Sequence, residues 1–323
     1  MATKPGLPSL LTLRPFPFIP SFQEKFSNQF TTIKRSDLSV PLNEFLEKEC
    51  QSVKALIGGG RTAITKEILN CLPSLGCIVL TCTGLDHIDL DECKKRSVAV
   101  CNAGTVFSED VADFAIGLLI DVLRRMSSAD RFVRAGVWPI KGEFPLGSKL
   151  SGKRVGIVGL GSIGSEVAKR LKAFHCTISY TSRNKKPSVP FSYYTNVVDL
   201  AFNNDVLILT FELNRETFHI INKDVMTALG EKGVIINVGR GALIDEKEMV
   251  RCLVQGEIGG AGLDVFENEP HVPEELFGLD NVVLAPHKAV LTHESFSDLH
   301  ELVISNLEAF FSNKPFLSVV KYD

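Results

Sequence analysis

The chain has almost no excess charge, no paired cysteines and no apolar run long enough to span a bilayer. Lys and Arg number 35 against 38 Asp and Glu, a net charge of −3. That balance supplies no basic field, so neither nucleic acid nor a membrane is expected as a partner. Eight cysteines (Cys50, Cys71, Cys77, Cys82, Cys93, Cys101, Cys176 and Cys252) are spread along the chain, with no CxxC pair and no cluster with histidine. The spacing excludes a disulfide framework and argues against a metal site; reduced thiols in apolar runs point to the cytosol. No internal repeat or low-complexity tract is present. A hydrophobic content of 45% with 23% charged residues is ordinary for a soluble globular protein, and 323 residues make two domains the natural expectation. The first 30 residues hold few acids and several prolines, which keeps a plastid address as the alternative to the cytosol. Against it, Ser9–Arg14 reads as a strand and the segment is not rich in arginine.

Strand-like and helix-like segments alternate throughout. Strands are expected at Ser9–Arg14, Thr31–Lys34, Val53–Ile57, Cys77–Cys82 and Val98–Cys101. A second series covers Arg154–Gly159, Thr177–Ser182, Val206–Thr210, Val234–Val238, Gly260–Val265 and Val282–Ala285. Helices fall between them; Ile64, Ile68 and Leu72 share a face and predict one over Ile64–Cys71. This alternation predicts an α/β fold with parallel sheets. A long helix is expected over Glu109–Met126, with Ser108 as N-cap, acids in its first turn and Arg124 and Arg125 in its last. Pro139, Gly142, Pro145 and Gly147 then predict an irregular stretch. One domain boundary is placed near Asn102–Gly104.

The second series opens with Gly159-Leu160-Gly161-Ser162-Ile163-Gly164, directly after an apolar strand and before a helix with Ile163, Val167 and Leu171 on one face. In that context Gly159 permits the turn and Gly161 lets backbone N–H groups approach a pyrophosphate. Gly164 brings the helix close to the sheet. The phosphates would sit at the helix N-terminus. Alone, such a motif also occurs as an ordinary glycine turn; with both flanks correct, dinucleotide binding is the reading. The next strand ends in Tyr180-Thr-Ser-Arg-Asn-Lys-Lys186, with no acid to hold a ribose 2′-hydroxyl. Ser182, Arg183 and Asn184 can instead bind a 2′-phosphate, so NADP, with NADPH preferred over NADH, is the expected cofactor. A solvated basic loop is the plainer explanation of the same charges.

Three polar residues each follow an apolar strand: Arg240, Glu269 and His287. Ligands bind at the carboxyl ends of strands in open α/β sheets. A fixed cation, a carboxylate and an imidazole gathered there can bind a small acid and move its proton. Each has a structural explanation on its own: a helix-entry ion pair for Arg240, a surface turn at Glu269-Pro270, a structural histidine at 287. All three would have to hold at once, and that coincidence favours catalysis.

Taken in order, these residues resemble the D-isomer-specific 2-hydroxyacid dehydrogenase family. The resemblance rests on Thr83-Gly-Leu-Asp-His-Ile-Asp89, Glu109-Asp-Val-Ala-Asp113, the glycine turn, Asn237-Val-Gly-Arg-Gly-Ala-Leu-Ile-Asp-Glu246, Gly262-Leu-Asp-Val-Phe-Glu-Asn-Glu-Pro270 and Pro286-His287. It covers nearly the whole chain and is nearest to plant glyoxylate/hydroxypyruvate and hydroxyphenylpyruvate reductases. It implies two Rossmann-like domains. A flavodoxin-like substrate domain would be formed by 1–102 and 289–323, a dinucleotide-binding domain by 103–288, and the active site would lie in the cleft between them. His287 then protonates the carbonyl oxygen of a 2-oxo acid, since imidazole titrates at about 6.5. Glu269 holds the other ring nitrogen, and Arg240 grips the substrate. Asp264 would contact the nicotinamide carboxamide, the Val238 and Gly239 backbone would line the nicotinamide, and Gly58 and Gly59 would bind the substrate carboxylate. Trp138 matches a position that reaches across a homodimer. Glyoxylate to glycolate and hydroxypyruvate to D-glycerate are the expected reactions. Hydroxyphenylpyruvate reduction, or a non-catalytic nucleotide sensor like the family's corepressors, are the alternatives. Formate oxidation is disfavoured, because those relatives pair the histidine with glutamine. Two stretches depart from the family pattern: Lys288-Ala289-Val290, where small residues are usual, and Thr210–Thr217, where a proline-containing loop is usual.

Overall fold

The computed structural model describes residues 7–13, 20–35, 39–60 and 62–321. Two compact units are present, Met1–Phe107 with Thr292–Asp323, and Ser108–Leu291.

The first unit runs β1 (Ser9–Thr12), α1 (Pro20–Gln29), β2 (Thr31–Ile33), α2 (Leu42–Glu49), β3 (Ala55–Gly58), α3 (Lys66–Asn70), β4 (Cys77–Leu80), α4 (Leu90–Lys95) and β5 (Ala99–Cys101). Its sheet has the order β2-β1-β3-β4-β5, with every pairing parallel. That is the flavodoxin-like order. Strands covered on both faces carry unbroken apolar runs, and Ala55–Gly58 and Cys77–Leu80 are buried at every position. The expected strand Ser9–Arg14 is observed to Thr12; Arg14 lies outside the described residues. The helix expected over Ile64–Cys71 is shorter. Ile64 is fully buried, yet it pairs with Ile88 as an isolated parallel bridge, accepting the Asp89 N–H at 3.0 Å. Its apolar spacing thus reflects burial, not helical phase.

The second unit opens with α5 (Ser108–Arg124), α6 (Met126–Arg134) and α7 (Trp138–Lys141). Then come β6 (Arg154–Val158), α8 (Ser162–Ala173), β7 (Thr177–Thr181), β8 (Ser192–Tyr193), α9 (Val197–Phe202) and β9 (Val206–Leu209). The unit closes with α10 (Lys223–Leu229), β10 (Val234–Asn237), α11 (Glu246–Gln255), β11 (Gly260–Leu263) and β12 (Val282–Leu284). The parallel order β12-β11-β10-β9-β6-β7-β8 is the Rossmann order with one added strand, and its direction reverses between β6 and β9. Helix α5 buries Val111, Ala115, Leu118, Leu119 and Val122 against this sheet. It can lie so close because residues 260 and 262 are glycine: added Cβ atoms would come within 2.9 Å of Val122 and 3.0 Å of Leu118.

Helix α5 starts at Ser108 itself, which is buried in the first turn instead of capping it. It stops at Arg124 because Arg125 is left-handed (φ 53°) and the Asp121 carboxylate takes the Ser127 N–H at 2.7 Å. The stretch expected to be irregular contains α7, which carries Pro139 in its first turn, where the ring costs no helical bond. The last helix, α12 (His293–Phe311), belongs to the first unit, with the Phe310 ring 3.0 Å from where a Cβ at Gly76 would be. No helix among the described residues is long and apolar enough to cross a membrane.

Candidate active site

The glycine turn joins β6 to α8. Gly159 has φ 101°, and an added Cβ would lie 2.6 Å from Cβ of Phe211. At Gly164 it would lie 2.2 Å from the Gly159 carbonyl oxygen, so only glycine permits α8 to start there. Gly161 differs, because an added Cβ would meet nothing within 4 Å. That open space lies at the N-terminus of a 12-residue helix with no side-chain cap. The donors left unpaired at a helix start suit a pyrophosphate, and a Cβ would fill the place it needs. Leu160 is buried, so it can serve a cofactor only through its backbone; Ser162 is exposed, Ile163 half-buried. Thr210, in the stretch that departs from the family pattern, donates its hydroxyl to the Gly159 carbonyl at 2.7 Å and fixes the turn. In the same stretch Asn214 accepts the Glu216 and Thr217 N–H groups at 2.9 and 3.0 Å, closing the loop without proline.

Past β7, the Ser182 hydroxyl donates to the Asn184 carbonyl at 2.7 Å, and Tyr193 donates to the Ser182 carbonyl at 3.2 Å. The Lys186 N–H donates to the Tyr180 hydroxyl at 2.7 Å. The loop is therefore shaped from within while Arg183, Asn184 and Lys185 face solvent.

Arg240, Glu269 and His287 follow the carboxyl ends of β10, β11 and β12, three consecutive strands of the sheet. Neighbouring strands lie about 4.8 Å apart, which gathers side chains from residues far apart in sequence. His287 Nδ1 and Glu269 Oε2 are 2.8 Å apart. The other Glu269 oxygen accepts the Phe266 N–H at 3.2 Å. With Nδ1 directed at a carboxylate, the tautomer and ring orientation are set and Nε2 is left for chemistry. His287 itself is left-handed (φ 54°), a conformation His tolerates better than most residues.

Asp264 builds that bend. It is 1% exposed, its two carboxylate oxygens accept the Lys288 and Ala289 N–H groups at 2.8 and 2.9 Å, and its carbonyl accepts the His287 N–H at 2.7 Å. Burial raises its pKa, against those two backbone donors, which lower it. Lys288 turns its ammonium towards the Phe114 ring, 5.8 Å from the centroid.

Arg240 is set by a residue the sequence reading left without a role. Asn237, fully buried, donates to the Arg240 carbonyl at 2.9 Å and accepts the Gly239 N–H at 3.1 Å. Arg240 also donates to the Gly239 carbonyl at 2.8 Å. Val238 is buried, and Gly239 packs against the Phe211 carbonyl, 3.3 Å from where its Cβ would be. The signal in the sequence was a buried polar residue closing an apolar strand. In the first unit, Gly58 ends β3, its carbonyl accepts the Thr81 N–H at 2.9 Å, and the Gly59 carbonyl accepts the Thr62 N–H at 3.0 Å.

A phosphate cradle at the point where strand order reverses, with a carboxylate–imidazole pair on the same edge, defines a dinucleotide-dependent oxidoreductase. The family model for the NAD-binding domain of D-isomer specific 2-hydroxyacid dehydrogenases matches residues 116–289. A glyoxylate/hydroxypyruvate reductase of Arabidopsis thaliana is 56% identical over 324 residues, covering all of both chains. A hydroxyphenylpyruvate reductase of Plectranthus scutellarioides is 50% identical, over 86% of this chain and 88% of that one. Among solved structures, an NADPH-dependent glyoxylate/hydroxypyruvate reductase from Sinorhizobium meliloti in complex with NADP and malonate has a TM-score of 0.88 at 36% identity. The match covers 97% of this chain and 96% of that one. The chain belongs to the D-isomer specific 2-hydroxyacid dehydrogenase family.

Proposed function

We propose that the protein reduces small 2-oxo acids with NADPH, taking glyoxylate to glycolate and hydroxypyruvate to D-glycerate. The observation that carries this reading is the 2.8 Å contact between His287 Nδ1 and Glu269 at the strand ends. The glycine turn would hold the pyrophosphate of the cofactor, whose nicotinamide would supply the hydride for the carbonyl carbon. His287 gives the carbonyl oxygen its proton from Nε2, and Glu269 stabilises the imidazolium before the transfer. Arg240 binds the carboxylate and the developing negative charge on oxygen. Asp264 keeps lone pairs for the carboxamide. Ser182, Arg183 and Asn184 take the 2′-phosphate, in a loop without an acid to repel it.

Kinetics on glyoxylate, hydroxypyruvate and hydroxyphenylpyruvate, each with NADPH and NADH, test this. The two small acids with NADPH should give the highest kcat/KM. A hydroxyphenylpyruvate preference, favoured by the 50% identical relative, would transfer the function to that substrate. No turnover despite NADPH binding would favour a nucleotide sensor, and equal rates with NADH would remove the assignment of the 182–184 loop.

We also propose a homodimer. The segment from α6 onward exposes Met126, Val133, Trp138, Ile140 and Leu146, with Leu146 94% exposed. Such a run of large apolar side chains marks an association surface. Sedimentation should give twice the chain mass, with Trp138→Ser and Ile140→Ser together shifting it towards monomer; a monomeric wild type would refute the proposal.

A further inference from the structure

One buried carboxyl group has no part in the chemistry above. Glu246 begins α11 and is 8% exposed. Burial raises its pKa, the Glu267 N–H opposes that shift, and the Glu267 charge adds to it. It is not needed as a cap, because Asp245 already accepts the Glu248 N–H at 3.2 Å. Instead, Glu246 Oε2 accepts the Glu267 N–H at 3.0 Å.

Glu267 lies two residues before Glu269, in the turn that carries the catalytic carboxylate. The turn rests directly on Gly241, where a Cβ would stand 1.9 Å from the Phe266 carbonyl carbon and 2.3 Å from the Glu267 nitrogen. Past this contact, the Glu267 carboxylate meets His219 Nε2 at 3.0 Å. His219 is anchored in turn: its N–H donates to the Ala242 carbonyl at 2.9 Å and its ring stacks on Phe218 at 3.8 Å. The turn then closes on itself through the Phe266 N–H and Glu269 Oε1 at 3.2 Å.

We propose that Glu246, together with the Glu267–His219 pair, is the positioning element for Glu269 and through it for the His287 imidazole. The proposal rests on the reading of Glu269 and His287 as the proton-donating pair. A buried carboxylate is costly to keep and persists where a backbone donor would otherwise go unpaired. Here that donor belongs to the turn whose orientation aims the catalytic carboxylate. Small misplacements of a catalytic group cost far more in rate than in stability.

The test uses full-length Glu246→Ala and Glu246→Gln with NADPH and glyoxylate. Glu246→Ala should lower kcat about tenfold with the Kd for NADPH unchanged. Glu246→Gln keeps an acceptor oxygen in place and should recover most of that loss. Had the residue served only as a negative charge at a helix N-terminus, Gln would behave like Ala. His219→Asn, which suits the φ of 50° at that position and sits on a half-exposed ring, is the second variant if Glu246→Ala does not fold. It should slow kcat about threefold, again with NADPH binding intact. Unchanged kcat in both variants, or equal losses in Ala and Gln, overturns the proposal. An inactive wild type would overturn the function and this proposal together. A wild type that turns over, slowed by His287→Asn but not by Glu246→Ala, overturns only this one.

Discussion

Replacing His287 with asparagine is expected to lower kcat by about 10²–10⁴-fold and to leave NADPH binding near its wild-type level. Asparagine suits the site on two counts. It tolerates the left-handed backbone at 287, so the bend held by Asp264 survives. Its amide can also donate to Glu269 roughly where Nδ1 does now. What disappears is Nε2, the ring atom that would give the carbonyl oxygen its proton. The loss should therefore fall on kcat, since the proton moves in the transition state and contributes little to ground-state binding. Rates from nicotinamide absorbance and a fluorescence titration with NADPH measure the two quantities separately. A variant with wild-type kcat would remove His287 as proton donor; one that no longer binds NADPH would show that the substitution disturbed the cradle instead.

Much of this site was legible in the chain because its residues are tied to local rules. The glycines at 159, 161 and 164 sit at spacings set by one turn and one helix start; at 159 and 164 a Cβ would clash, and at 161 it would only fill open space. Arg240, Glu269 and His287 stood out because each interrupts the polarity pattern at the end of a buried strand. The supporting shell was not legible. Glu246 accepts the backbone N–H of Glu267, and Glu267 pairs through its side chain with His219, in loops distant in sequence that meet where Gly241 touches Phe266. Nothing in the periodicity of either segment announces that approach. Ile64 shows the opposite error: its spacing fits a helix, but its burial comes from the bridge to Ile88. The departures in the Thr210–Thr217 stretch bear on substrate preference and turnover rate rather than on the chemistry, and within it Thr210 and Asn214 hold the turn and the loop with side-chain hydrogen bonds.

Arg240→Gln is expected to reduce kcat/KM by about 10²–10³-fold, the usual cost of losing a donor aimed at a developing oxyanion. The substitution removes the guanidinium with its own 2.8 Å bond to the Gly239 carbonyl and leaves the other backbone contacts in place. The backbone at 237–240 is held by Asn237 through the Gly239 N–H and the Arg240 carbonyl, and neither contact uses the guanidinium. Arg240→Lys adds a finer distinction. Lysine restores the charge but not the planar fork that matches a carboxylate with two parallel hydrogen bonds. If charge alone matters, lysine should recover most of the rate. Should the fork hold both the carboxylate and the carbonyl oxygen, lysine should stay close to glutamine. The division of the loss between constants then identifies the step. A rise in KM alone means that the guanidinium binds substrate and transition state equally; a matched fall in kcat and kcat/KM means that its contact strengthens as charge develops on oxygen. The latter is expected, because the proposed reaction would place new negative charge on the oxygen that His287 would protonate. Wild-type constants for Arg240→Gln on glyoxylate would remove Arg240 from the substrate site altogether.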